Sequence, residues 1–196
     1  MTEKDVLKIF KSEKALLSGH FLLSSGLHSP NYLQCALLLQ KPWVAEKLAR
    51  ALAKKIKGKT DVVMGPALGG VIVSHEMARV LKVRSIFAER LPAGQAGVEG
   101  VLTLRRGFEL KKNEKVLVVE DVVTTGKSTN EVIEIVKQNG ARAAGVASIV
   151  NRSGAENPFR VPFYSLLKID IKTFRPEECP LCREGKIPAV KPGSRV

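Results

Sequence analysis

The middle of the chain alternates uninterrupted apolar strand-like runs with helical segments, and no other feature constrains the fold as strongly. Asp61-Val62-Val63-Met64 reads as a buried strand, then Gly65-Pro66-Ala67-Leu68-Gly69-Gly70 as a turn, then residues 71–81 as a helix. Ser85-Ile86-Phe87-Ala88, residues 115–119 and residues 144–150 read as further strands, and a helix over 128–139, stopped by Gly140, separates the last two. Valine and isoleucine runs without polar alternation belong to strands covered on both faces. The expected class is therefore α/β, a parallel sheet flanked by helices. Two helices are expected before this core. One covers 2–17 with Thr2 as N-cap and Gly19 as terminator; the other covers 42–57 and opens at Pro42. Residues 21–23 and 32–39 read as short extended segments, and 175–196, with four prolines and no periodicity, as an irregular tail.

Length and composition narrow the class further. A chain of 196 residues, 44% of them hydrophobic, matches one domain with a real core and excludes a disordered chain. The longest nearly uncharged apolar stretch, 62–74, is broken by Gly65, Pro66, Gly69 and Gly70. A membrane span takes about 20 apolar residues, so none is expected. Met1-Thr2-Glu3-Lys4-Asp5 lacks the apolar core of a signal peptide, which leads to the expectation of a cytoplasmic protein. The net charge of +13 implies an anionic partner, either nucleic acid or a small phosphorylated ligand. Three cysteines do not suggest a disulfide framework. Cys179-Pro180-Leu181-Cys182 has metal-ligand spacing, but a structural zinc site takes four ligands and the sequence holds no second such pair. It is read as a turn with reduced thiols, with a site shared across a dimer as the alternative. Cys35 is expected in the core, and His28 is as readily a surface histidine as one facing substrate.

The chemistry concentrates in Val116-Leu117-Val118-Val119-Glu120-Asp121-Val122-Val123-Thr124-Thr125-Gly126-Lys127-Ser128-Thr129. A buried strand ends in two adjacent acids, a hydroxyl- and glycine-rich loop follows, and a helix begins. The helix N-terminus offers unpaired N–H groups and a positive dipole end to a phosphate. Thr124, Thr125, Ser128 and Thr129 add hydroxyl donors, and Gly126 lets the backbone approach the anion. Glu120 and Asp121 suit sugar hydroxyls, or Mg²⁺ held through water. Gly126-Lys127-Ser128 mimics the end of a Walker A loop, but that loop needs glycine where Asp121 stands. A plain surface turn explains the hydroxyls but not two acids at the carboxyl end of a Val-rich strand, the edge where open α/β sheets bind ligands.

This stretch resembles the 5-phosphoribosyl-1-pyrophosphate (PRPP) binding motif of the type I phosphoribosyltransferases. Further segments are similar to the orotate-specific members of that family: residues 19–32, the loop 65–70, Phe87-Ala88-Glu89-Arg90 with Leu104-Arg105-Arg106-Gly107-Phe108, Asn151-Arg152-Ser153, and the ending from Cys179. The resemblance implies a parallel-sheet core over about 42–155, a hood from about 1–40 and 160–196, and a lid over about 91–103. It implies transfer of ribose 5-phosphate from PRPP to orotate, giving orotidine 5′-phosphate and pyrophosphate in pyrimidine synthesis, with Mg²⁺ carried by PRPP and possible water-mediated help from Asp121. The PRPP contacts it implies are Arg90, Glu120, Asp121, Val122, Val123, Thr124, Thr125, Gly126, Lys127 and Ser128. Arg90, Arg105, Arg106 and Asp121 are the expected catalytic set, and Thr124, Arg152, Ser25 and Tyr32 the expected orotate contacts. A homodimer is implied, with neither a membrane nor nucleic acid as partner.

The chain departs from the family pattern in its cations. Residues 91–103 hold no Lys, Arg or His, and Ser24 and Gly69 stand where lysines are usual. Arg90, Arg105 and Arg106 flank the neutral segment, and an arginine fork can replace lysine at a phosphate. Two alternatives compete: transfer to another base such as a purine, and a PRPP-sensing nucleic-acid regulator. Arg152 argues against the first, because purines lack a carboxylate for it to meet. The absence of an added helix-turn-helix and the paucity of aromatics argue against the second.

Overall fold

Side-chain alternation along the central strands sorts the core into two layers. The computed structural model describes residues 1–23, 25–91 and 100–192. Within it, β3 (Val62–Pro66), β4 (Arg84–Arg90), β5 (Leu102–Leu104), β6 (Lys115–Val123), β7 (Arg142–Asn151) and β8 (Phe163–Lys168) form one sheet in the order β5-β4-β3-β6-β7-β8. Val63, Leu117, Val119, Ala147 and Ile149 point to one face, where they meet α3 (Pro42–Ala53) and α4 (Gly69–Leu81) through Leu48, Leu52, Val73 and Met77. Val62, Met64, Val116, Val118 and Val146 point to the other, against α5 (Lys127–Gln138) through Val132, Ile133 and Val136. The period of two that a strand imposes thus supplies both helix layers from the same apolar runs.

The contacts β3–β4, β3–β6, β6–β7 and β7–β8 are all parallel; helices α4 and α5 make the β3–β4 and β6–β7 crossovers, whereas β7 and β8 are joined by a helix-free connection over 152–162. Two strands correct the sequence reading. β5 runs antiparallel to β4, so the sheet is mostly rather than wholly parallel. β8 lies within the stretch assigned to the hood, yet it pairs with β7 in the main sheet.

Helix α4 sits directly on the sheet backbone. A Cβ at Gly65 would stand 2.7 Å from the Gly70 carbonyl oxygen and 2.8 Å from that of Val119, and one at Gly70 would stand 2.8 Å from Pro66 Cδ. These two glycines set the depth at which the helix and the loop before it rest on β3 and β6.

The N-terminal region differs most from expectation. Helix α1 (Glu3–Ser12) opens with the Thr2–Asp5 capping box but ends five residues early. Lys14 takes a positive φ of 52°, and Leu16 already starts β1 (Leu16–Leu22), so the apolar pair Leu16-Leu17 belongs to a strand and Gly19 terminates nothing. β1 pairs antiparallel with β2 (His28–Leu33), and the expected extended segment 32–39 turns after Leu33 into the short α2 (Ala36–Leu39).

The C-terminal stretch holds regular elements within its described residues, against the expectation of an irregular tail. It contains the 3₁₀ turn Pro176–Glu178 and α6 (Pro180–Glu184). It then returns to the hairpin. Val190 N–H donates to the His20 carbonyl and Leu22 N–H to that of Val190, both at 2.9 Å. Phe174 and His28 exchange a further pair of backbone hydrogen bonds at 2.8 and 2.9 Å. No helix among the described residues is long and apolar enough to cross a membrane.

Candidate functional site

Strand β6 delivers its two acids to the carboxyl edge of the sheet. Glu120 still pairs in register with Ser148 of β7, and Asp121 follows it. Burial, then the neighbouring Asp121 carboxylate, holds Glu120 well above the usual carboxylate range. Burial also raises Asp121, opposed by the Val122 N–H, which donates to its Oδ1 at 2.8 Å. Both acids are thus kept in a poorly solvated place with their charge incompletely answered, an arrangement that suits a ligand bringing hydroxyls or a cation.

The chain then turns into α5. Val122 and Val123 complete the strand, with Val123 buried. Thr124 and Thr125 form the exposed bend, and Gly126 is the helix N-cap at φ +73°. Glycine is required at 126 twice over, because an L side chain is strained there and a Cβ would also stand 2.9 Å from Phe159. The helix opens with Lys127, Ser128 and the buried Thr129, and no acidic residue occupies its first turn. Its first N–H groups and the dipole end therefore face the loop without a competing carboxylate, ready for a phosphate.

Three other elements reach the same edge. After β3, the loop 66–70 places Gly69 so close to Asp121 that a Cβ would stand 2.9 Å from Oδ1. The Ala67–Leu68 peptide in that loop is cis, and Leu68 is 82% exposed. After β7, the Arg152 N–H donates to the Val123 carbonyl at 2.8 Å, tying the ends of β6 and β7 together. Burial lowers Arg152, while Tyr32 and Asp170 counter it; burial and then Asp121 raise Tyr32. Tyr32 on β2, Asp121 on β6 and Arg152 after β7 thus share one electrostatic neighbourhood. Cys35 is buried and its thiol is pushed well up, first by burial and then by Asp121 and Glu120, so it serves as core, as expected, and not as a nucleophile.

The arginines flanking the expected lid take different positions. Arg90 reaches the start of α5, where it donates to Ser128 Oγ at 3.4 Å and pairs with Glu131 at 3.0 Å and with the Gly100 carbonyl. Arg106 grips Glu89 with two bonds of 2.9 Å and lies 5.7 Å over the Phe87 ring. Arg105 and Lys127 are exposed. Ser25 is exposed in the hairpin turn, and among the described residues no hydrogen bond joins it to Tyr32 or Arg152. Of the expected lid, 92–99 lie outside the described residues, as does Ser24.

Two positioning residues were not foreseen. Asn151 is buried; its Nδ2 donates to the Ala155 carbonyl at 2.8 Å and its Oδ1 accepts from Ser153 N–H and Oγ, which shapes the loop that presents Arg152. Phe159 seals the underside of Gly126. The Asn-Arg-Ser triplet carried a signal for the first; nothing local marks the second.

A phosphoribosyl transferase domain model matches residues 37–180. The orotate phosphoribosyltransferase of Carboxydothermus hydrogenoformans is 54% identical over 194 residues, 97% of each chain. That of Thermotoga maritima is 53% identical over 97% of this chain and 98% of its own. Among solved structures, orotate phosphoribosyltransferase from Aeropyrum pernix superposes with a TM-score of 0.70 at 25% identity, over 84% of this chain and 93% of that one. An adenine phosphoribosyltransferase from Thermoanaerobacter pseudethanolicus, at 18% identity and a TM-score of 0.60 over 71% of this chain and 88% of that one, shares the fold.

Proposed function

This chain belongs to the phosphoribosyltransferase family and carries out PRPP-dependent transfer to orotate, and we propose that the carboxyl edge of its sheet performs the reaction as follows. The 5′-phosphate of PRPP lies on the loop 124–128, bonded by backbone N–H groups and by the hydroxyls of Thr124, Thr125 and Ser128. Glu120 and Asp121 accept hydrogen bonds from the ribose hydroxyls. Orotate lies between Arg152, which takes its carboxylate, and Tyr32, with Ser25 and Thr124 at the margin. The observation that carries this reading is the convergence of a paired-acid strand end, an acid-free helix N-terminus and a half-buried arginine on one sheet edge.

The family reaction uses Mg²⁺ with PRPP. Glu120 and Asp121 offer only oxygen donors, and the missing side chain of Gly69 leaves the Asp121 carboxylate open on that side, which fits a magnesium–pyrophosphate group. When bound, that ion supplies charge neutralisation to the leaving pyrophosphate. The chain's own work is positional and electrostatic. It fixes the ribose between two anionic anchors, and it sets Arg90, with Arg105 and Arg106, beside the charge that develops as the bond to pyrophosphate lengthens. For Arg106 this means leaving Glu89, so Glu89 holds that arginine in reserve.

We place the hood in the hairpin of β1 and β2 with the segment after β8, the lid in 91–103, and the protein as a homodimer in the cytoplasm. Light scattering tests the dimer. Loss of orotate absorbance with stoichiometric pyrophosphate release, in the presence of PRPP and Mg²⁺, tests the reaction; turnover of adenine and not of orotate overturns it.

A further inference from the structure

Four side chains that the reaction does not use meet in the hood. The ligand-capable atoms of His20, His28, Cys179 and Cys182 all lie within 4.8 Å of one another. His20 Nε2 is 2.8 Å from His28 Nδ1 and 3.6 Å from the sulfur of each cysteine, and Cys182 Sγ is 3.2 Å from His28 Nδ1. His20, His28 and Cys179 are buried, while Cys182 is at the surface. The second pair that the sequence lacked is therefore two histidines on the β1–β2 hairpin, about 150 residues upstream of the cysteines and brought to them by the fold.

We propose that these four residues bind one zinc ion, and that the ion pins the C-terminal segment to the hairpin. Three observations support it. First, a tetrahedral ion with bonds of about 2.3 Å to sulfur and about 2.0–2.1 Å to nitrogen sets its ligand atoms roughly 3.3–3.8 Å apart; four of the pairs here stand at 2.8, 3.2, 3.6 and 3.6 Å and all lie within 4.8 Å, so small side-chain shifts bring the four groups onto one ion. Second, the outer nitrogen of His20 is committed: Nδ1 lies 2.9 Å from the Ile187 carbonyl. Donation there fixes the tautomer that turns the Nε2 lone pair inward, the usual outer-shell support of a metal-bound histidine. Third, hydrogen bonding alone serves the cluster poorly. His20 Nε2 then has one lone pair and three neighbours at bonding distance, whereas a cation satisfies all four groups at once.

Binding releases the thiol protons to solvent and forms two Zn–S and two Zn–N bonds, with no redox change. Mixed nitrogen and sulfur ligands favour zinc over magnesium or calcium. Four protein ligands leave no open position, so the role is structural and the transfer reaction takes place elsewhere. Cys179 caps α6 and Cys182 lies in its first turns, so the ion anchors that short helix as well as the strand-like return to Val190.

The full chain, expressed with zinc in the medium, is expected to carry about one zinc per chain by mass spectrometry of the metal. After chelation and refilling with cobalt it should show the visible bands of tetrahedral cobalt together with thiolate-to-cobalt charge transfer. Chelation should lower the melting temperature by about 5–10 °C, restored by zinc and not by magnesium. Cys182→Ser, at the exposed ligand, should weaken zinc binding at least about tenfold and abolish half the charge-transfer intensity, while Cys35→Ala keeps both. A chain that holds no zinc as purified and takes up none on equilibration overturns the proposal. So does a Cys182→Ser variant that binds zinc as the parent does, or a cobalt spectrum without thiolate bands.

Discussion

Along β6, Val116, Leu117, Val118 and Val119 are buried; the first three pair with both β3 and β7, and Val119 pairs with β7. Along β1, only His20 is buried, and the outer edge of the hairpin is paired with single residues of the C-terminal segment, Val190 and Phe174. The first region derives its rigidity from apolar burial on two faces. That is why it can hold two acids in a poorly hydrated place and still fold. The second region leaves Leu16, Leu17, Phe21 and Leu22 only partly buried and relies more on backbone bridges and the His–Cys cluster. The rigid region carries the cradle we propose for the 5′-phosphate; the lightly held one carries Tyr32, which we propose faces the base.

The largest effect is expected at the cradle. Gly126→Glu forces a side chain into a left-handed position, drives Phe159 away and puts a negative charge at the phosphate. PRPP affinity should fall at least about 100-fold by calorimetry, with the fold intact by circular dichroism. Unchanged affinity would remove the cradle from this edge. Next, Arg152→Ala removes one charged contact, worth about 1.5–3 kcal/mol, so KM for orotate should rise roughly 10–100-fold while PRPP binding stays within about twofold. Equal loss for both substrates would place Arg152 elsewhere.

The acids yield a stability effect of opposite sign. A carboxyl held up in the folded chain keeps its proton where the unfolded chain has lost it. Folding then takes up a proton, and stability falls as pH rises from the ordinary carboxylate range through the folded value. Glu120→Gln should therefore melt a few degrees above the parent at pH 8 without ligand, converge with it near pH 4.5, and lose activity. A variant that is less stable at pH 8 would show that the charge is already well answered in the free protein. Hydrogen exchange tests the contrast itself. The amides of residues 117–119 should be protected to near the global unfolding limit, while those of Leu22 and Val190 exchange by local opening. The smallest stability change is expected for Arg106→Ala, because its pair with Glu89 is solvent-screened and the melting temperature should stay within error of the parent. If Arg106 serves the leaving pyrophosphate, kcat falls with melting temperature unchanged; if it only braces Glu89, neither moves.

The same contrast decides what could be read from the sequence. The runs at 62–64 and 116–119 and the helices after them were legible because periodicity there has only one reading, and the paired acids and Gly126 marked the site by type and order. β8 went unread because Phe-Tyr-Ser-Leu-Leu-Lys has no clean period, and β5 because three residues carry no pattern. The early end of α1 was hidden by Leu16-Leu17, whose apolar spacing also fits a helix. The His–Cys cluster was invisible for a different reason. Its members are brought together by backbone pairing of the tail with the hairpin, a contact between distant segments that no local spacing announces.

Gly65 has a consequence for what sequences this fold can accept. With the Ser74 hydroxyl, the Gly70 carbonyl and the Val119 carbonyl all pressed against the place where a side chain would begin, no other residue fits without lifting α4 from the sheet and displacing the loop that faces Asp121. In an exhaustive substitution library, position 65 should accept no replacement, alanine included. Gly58, which opens onto empty space but holds a positive φ, should accept asparagine. Tolerance at glycines in this chain is then set by what lies beyond the Cα as much as by the backbone angle.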